Sequence, residues 1–250
     1  MKRQLYYAML GLSFSSFALE AHALDAPGAI SKDELKKMMI EVLQENPEFI
    51  AEAAGQAKKK FHSQNRKKAE RKLIQKNRDR IVTTQGYPII GNPSGEDRII
   101  LFLDPQCGHC HQMIQDMLDI ATRHPNVQIV MRDMPFLGDQ SHQISKWHIL
   151  AYQQGKLPML LKELFAAAGD LSQIQEIAVK IGLKVDETPE NIKIIEAAIE
   201  ESSNLAAELN IDSVPTFIIK GRIYRNYHGR EPFERLVKKS FLRQNEGLQK

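Results

Sequence analysis

Cys107 and Cys110, in the stretch CGHCHQM, are the only cysteines of this 250-residue chain. Their spacing suits several chemistries. A Cys-x-x-Cys pair can cycle between dithiol and disulfide, and with His111 directly after it the same letters form the attachment signature of a c-type haem. Thiolates together with histidines can also hold zinc. A structural staple is a weaker reading: closing so short a loop stabilises by only about 2 kcal/mol, and a chain of this length can bury a core without it.

The flanking elements bear on that choice. Ile99 to Leu103 is a continuous apolar run, the pattern of a strand buried on both faces, and Asp104-Pro105 ends it. After the cysteines, Met113, Met117, Leu118 and Ala121 fall on one helical face, and Val127 to Met131 is a second buried strand. Strands joined through a helix run parallel. Cys107 therefore opens a helix, where unpaired N–H groups and the helix dipole stabilise a thiolate. Cys107 is expected to be the exposed attacker and Cys110 the buried resolving thiol, with His109 adding a donor or positive charge beside the thiolate.

A haem needs a pocket, usually of helices wrapped around the ring, and a motif between two buried strands argues for a solid core. His111 then becomes an exposed helix residue, and Met113, Met117, Met131, Met134 and Met159 are read as mostly core filler rather than axial ligands. No second cysteine pair or well-spaced histidine pair accompanies the motif, so zinc is poorly supported. The dithiol fits best; a haem-bearing electron carrier stays as the alternative.

Elsewhere the chain divides by composition. Lys2 and Arg3, the apolar run Leu5 to Leu19 and Ala21-His22-Ala23 read as a secretory signal over 1–23. The mature protein is then expected to be exported and soluble. Residues 24–57 hold a capping box, Ser31 to Glu34, and two short helices with Leu35, Met38, Met39, Val42 and Leu43, then Phe49 and Ile50, on apolar stripes. Asn46 and Pro47 suit the start of the second helix. Stripes this small need a partner surface, and self-association, a dimer first, is the expected solution. Residues 58–86 form a basic, helix-permissive linker. A net charge of +3 creates no strong global field, and in an exported protein the linker is read as a solvated connector rather than a nucleic-acid site. A non-enzymatic envelope protein binding anionic polymer through it is a further alternative. Residues 87–250 form the main body, with helices over about 141–209, broken near Gly155, Gly169-Asp170 and Thr188-Pro189. A hairpin from Val214 and a closing helix from Glu231 to Leu242 complete it.

FLDPQCGHC, a long helical insertion and then VPTF, taken in that order, resemble the DsbA-like branch of the thioredoxin-fold oxidoreductases over roughly Tyr87 to Leu242. The resemblance implies an α/β thioredoxin fold with an inserted helical domain and, here, an N-terminal helical extension. It implies a cis-proline at Pro215 facing the cysteines, and a Val214 backbone that pairs with extended substrate, which also passes Gly108. The signal, N-terminal helices and basic connector look like Com1-type exported proteins. Gly108-His109 is similar to the dipeptide of protein disulfide isomerases, which sit near −180 mV rather than the roughly −120 mV of DsbA. In one respect this chain departs: many relatives carry a buried acid six positions before the first cysteine, where Leu101 stands here. Asp104 is expected at the strand end, leaving proton transfer at Cys110 to water.

The expectation is thus an exported enzyme that forms or isomerises disulfides in cysteine-containing envelope or secreted proteins. It needs no cofactor or metal. Its partner is a membrane redox protein, either a DsbB-like oxidase or a DsbD-like reductase. Its place is the periplasm, free or attached to the outer membrane or cell surface.

Overall fold

A computed structural model describes residues 30–167, 174–185 and 188–241. The expected signal over 1–23 and the break near Gly169-Asp170 lie outside them. The chain forms two compact units, residues 1–60 and 61–250.

In the first unit, helix α1 (Lys32–Glu45) opens on the capping box. Glu34 N donates to Ser31 Oγ at 3.2 Å and Ser31 N donates to Glu34 Oε2 at 2.9 Å. At its end, Asn46 donates both its backbone N–H and its side-chain amide to Val42 O. Helix α2 (Pro47–Lys76) then begins at a residue with no N–H to satisfy. It runs on without a break through the boundary that composition suggests at 57/58. Basic, straight-chain residues are good helix formers, so nothing in Lys58 to Lys60 interrupts it. No side chain of α1 is buried, and Met38 and Phe49 are 50% and 53% exposed.

The second unit is built on a five-stranded sheet of order β1-β3-β2-β4-β5. Its strands are β1 (Ile89–Gly91), β2 (Asp97–Leu103), β3 (Val127–Asp133), β4 (Thr216–Ile219) and β5 (Arg222–Arg225). β2 and β3 are parallel, joined through α4 (Gly108–Arg123); β1 with β3, β2 with β4 and β4 with β5 are antiparallel. At the end of β1, Gly91 has φ +88° and a Cβ there would meet Val127 O at 2.6 Å, so both backbone conformation and the approach to β3 require glycine.

Side chains of the central strands alternate between two cores. Ile99, Leu101, Leu103, Ile129, Met131 and Phe217 face one side. There they meet α4, the closing helix α9 (Arg230–Phe241), and the insertion helices α5 (Asp139–Gln153), α6 (Leu157–Ala166) and α7 (Ile174–Lys180). Ile100, Phe102, Val130 and Ile218 face the other side. They pack on Ile81 of α3 (Arg78–Val82), on Leu205 and Ala206 of α8 (Pro189–Glu208), and on Leu73 and Ile74 of α2. Ile99 to Leu103 are 0–2% exposed; at about 1.5–3 kcal/mol for each large apolar side chain, β2 is a main contributor to the core.

Polar ties hold the second face. Arg80 donates to Glu201 and Glu208 of α8, each at 2.7 Å. The fully buried Arg132 guanidinium lies 3.4 Å from the Tyr87 ring centroid and donates to the carbonyls of Arg80 and Thr83. The helical insertion resolves into α5 to α8, with a turn at Gly155 (φ +67°) and a fresh helix start at Pro189. β4 begins at Thr216, two residues later than the apolar run suggests, because Val214 and Pro215 form a separate loop before the ladder.

Candidate active site

Strand β2 delivers the chain to the site. Its last residue is Leu103, and four residues later Cys107 is the N-cap of α4. Cys107 N donates to Asp104 O at 3.0 Å, and Cys107 O accepts from Cys110 N at 2.9 Å and from His111 N at 3.1 Å. Cys107 therefore caps the sixteen-residue helix through its backbone carbonyl, with no side-chain cap hydrogen bond, and is half-buried.

From the other side comes β4. Phe102 pairs with Thr216, so the residues before Thr216 lie beside the exit of β2. The Val214–Pro215 peptide is cis, and Val214 O is 3.9 Å from Cys107 Sγ. Thr216 Oγ1 donates to Ser213 O at 2.7 Å and closes the loop. Gly108 and His109 are exposed on the outer side of the first turn, and a Cβ at Gly108 would touch nothing.

Cys110 is 0% exposed, in one cluster with Met113, Met117 and Leu101. Burial pushes its thiol far above the ordinary value; a hydrogen bond from the Asp104 backbone opposes this, and the neighbouring Cys107 adds to it. The two cysteines have distinct environments: Cys107 is reachable, while Cys110 is held protonated behind it.

Asp104 stands at the end of β2, as expected; its side chain is completely buried, and both carboxylate oxygens accept hydrogen bonds. Oδ1 accepts from Gln106 N at 2.7 Å and from Ser141 Oγ at 2.6 Å; Oδ2 accepts from Phe136 N at 2.9 Å and Leu137 N at 3.0 Å. One side chain thus ties the loop before Cys107 to the β3–α5 connection and to the start of α5. It also fixes Phe136 and Leu137, which are 56% and 50% exposed. With both oxygens engaged by four donors, the side chain acts as a positional anchor of the loop. The short Asp-Pro turn was the available sequence signal; the three partners more than thirty residues away, Phe136, Leu137 and Ser141, were not legible.

His111 is turned inward, its Nε2 against Pro105 O. Next to it, the buried His148 Nδ1 meets Asp133 Oδ2 at 2.7 Å. Cys110 is enclosed by core side chains and His111 is held by the loop, so the pair does not present a surface for a haem. Met113, Met117 and Met131 are wholly buried core residues. Among the described residues, no group of three or more Cys, His, Asp or Glu side chains is placed to hold a metal ion, and no helix is long and apolar enough to cross a membrane.

A parallel β–α–β core with the cysteine pair at the start of its helix, faced by a cis-proline loop from the neighbouring antiparallel strand, defines a thioredoxin-fold dithiol protein. The thioredoxin family profile matches residues 83–239, more than half of the chain, and the chain belongs to that family. Among solved structures it is similar to a linker-deletion mutant of Proteus mirabilis ScsC, with 18% identity and a TM-score of 0.63 over 88% of this chain and all of that one. It is also similar to the thiol-disulfide exchange protein alpha-DsbA2 from Wolbachia pipientis, with 23% identity and a TM-score of 0.58 over 70% of this chain and 97% of that one. A third is a periplasmic thioredoxin-like protein from Salmonella enterica serovar Typhimurium, with 20% identity and a TM-score of 0.58 over 64% and 93%. No curated protein sequence matches. The shared fold includes the inserted helices and, in the ScsC mutant, extends over the N-terminal helical region.

In the reduced protein at pH 8, iodoacetamide should label Cys107 first and leave Cys110 largely unmodified, as read by peptide mapping. Because the folded state favours protonated Cys110, the reduced protein should lose stability as pH rises past the ordinary thiol value of 9.0, whereas a disulfide form has no thiol to ionise. Replacing Asp104 by Ala strands buried donors at about 1–3 kcal/mol each; urea unfolding should show a loss of at least about 3 kcal/mol, and Asp104→Asn should recover part of it.

Proposed function

We propose that the protein is an exported thiol–disulfide oxidoreductase of the DsbA-like class, acting on cysteine-containing envelope or secreted proteins. The observation that carries this reading is the pairing of a reachable Cys107 with a buried Cys110, directly beneath the Val214 carbonyl. The family membership and the named activity of the Wolbachia neighbour support it.

In the oxidising direction, a substrate thiolate attacks Cys107 of the Cys107–Cys110 disulfide. The S–S bond breaks, and Cys110 leaves with the electron pair and takes up a proton. A second substrate thiolate then attacks the substrate sulfur of the mixed disulfide and releases Cys107 as a thiolate. The substrate loses two electrons and the enzyme gains them. In the isomerising direction, Cys107 attacks a non-native substrate disulfide, and Cys110 resolves the adduct if the substrate does not. Val214 offers backbone groups for an extended substrate chain, and His109 lies on the open side, where it can donate to a sulfur.

The isomerase-like Gly108-His109 dipeptide favours isomerase or reductase work over strong oxidation, with a DsbD-like reductase as redox partner rather than a DsbB-like oxidase. The periplasm, with association to the outer membrane or cell surface, is the compartment that suits the secretory signal read from residues 1–23 and the periplasmic Salmonella neighbour.

The decisive experiment is Cys110→Ala in the native host. Mixed disulfides should accumulate on Cys107, disappear on reduction and be lost in Cys107→Ala. A complete lack of reducible adducts would overturn the reading.

The apolar stripes of residues 30–57, exposed within their own unit, further support a homo-oligomer, a dimer first, in the manner of Com1-type proteins. No nucleic-acid role is assigned to the basic stretch that follows. Light scattering on the mature chain should give a multiple of the single-chain mass, and deletion of residues 24–57 should give the monomer. A monomeric mature chain would refute self-association.

A further inference from the structure

Away from the cysteines, the second unit carries a groove of about 650 Å³, in the size range of ligand and peptide clefts. One wall is the part of α2 that bears Arg66, Lys67 and Arg71; the other is α9, with Phe233 and Leu236. Along it runs β5, the last strand of the sheet. Its outer edge has no strand partner among the described residues, and an open edge is a template for another chain.

The charge of this groove is one-sided. Arg66, Lys67, Arg71, Arg222 and Arg225 line it, with Glu70 as the single carboxylate. Glu70 is already shared between Arg225 at 2.6 Å and Arg66 at 3.8 Å. Lys67, Arg71 and Arg222 have no ion-pair partner among the described residues. The floor is apolar: Phe217 stacks on Tyr224 with ring centroids 5.6 Å apart and meets Phe233 edge-on at 5.0 Å. Charges on the strand alone would serve to guard an edge against pairing. Here a second row of cations stands across the gap on α2, which is the arrangement of a receptor and not of a guard.

We propose that this groove binds an extended, acidic polypeptide segment that adds to the free edge of β5, with its backbone paired to the strand, its carboxylates between the α2 cations and Arg222, and its apolar side chains on the Tyr224–Phe233 floor. The thiols take no part, so the site is independent of the disulfide chemistry and provides a second contact for an acidic partner.

The test uses a fluorescein-labelled peptide of alternating Glu and Val, its Lys–Val counterpart, and a Glu–Val peptide N-methylated at alternate residues. The acidic peptide should bind and the basic one should not. Amides of residues 222–225 should gain protection from hydrogen exchange when it binds. Combined Lys67→Glu, Arg71→Glu and Arg222→Glu should weaken binding by at least ~tenfold while leaving alkylation of Cys107 unchanged, which also reports an intact fold. N-methylation should weaken it similarly, and Cys107→Ala with Cys110→Ala should leave it unaltered. Equal affinity for the N-methylated peptide, or binding of inorganic polyphosphate without protection of 222–225, would overturn strand addition and identify a general polyanion surface. No binding of the acidic peptide would refute the site while leaving the thiol chemistry untouched.

Discussion

The ladder between β2 and β4 is the constraint on which the site depends. β2 is buried on both faces, so its register is fixed by two cores at once: a slip of one residue would exchange Leu101 and Leu103 for Ile100 and Phe102 and disturb both. With Phe102 opposite Thr216, the chain leaving β2 toward Cys107 and the chain entering β4 from Pro215 must meet at one end of the sheet. The cysteine pair and the cis-proline loop, more than one hundred residues apart, are brought together by this ladder and by no local preference of their own.

Three devices then refine what the ladder places. The start of α4 fixes Cys107 at the N-cap, at the positive end of the helix dipole. The same helix turns Cys110 inward among Met113 and Met117, and burial keeps its thiol protonated. Asp104 secures the loop between strand and helix with four accepted hydrogen bonds. Since three of its donors come from the β3–α5 connection and from α5 itself, the inserted helices help to position the cysteine loop as well as enlarging the core.

Much of this was legible in the sequence, for identifiable reasons. The runs at Ile99–Leu103 and Val127–Met131 are too apolar and too short to be anything but buried strands, and the helix between them forces them parallel. The Ser31–Glu34 box is local chemistry and forms as written. By contrast, Asp104 stands at the strand end as its position suggests, but a lone acid beside a proline gives no hint of its burial or its distant donors. The continuity of α2 was also obscured, since a change from apolar to basic composition resembles a boundary although helix propensity is unaffected.

By itself the sequence determined the order of elements, the identity of the reactive pair and the presence of an apolar N-terminal stripe, because these rest on short-range periodicity, caps and spacing. Only the tertiary structure decided that Asp104 is a buried anchor, that His111 is turned onto Pro105 O, and that Arg66, Lys67 and Arg71 stand across from the open edge of β5. Each of those depends on where a side chain ends up after distant segments pack, and such proximity leaves no periodic trace along the chain.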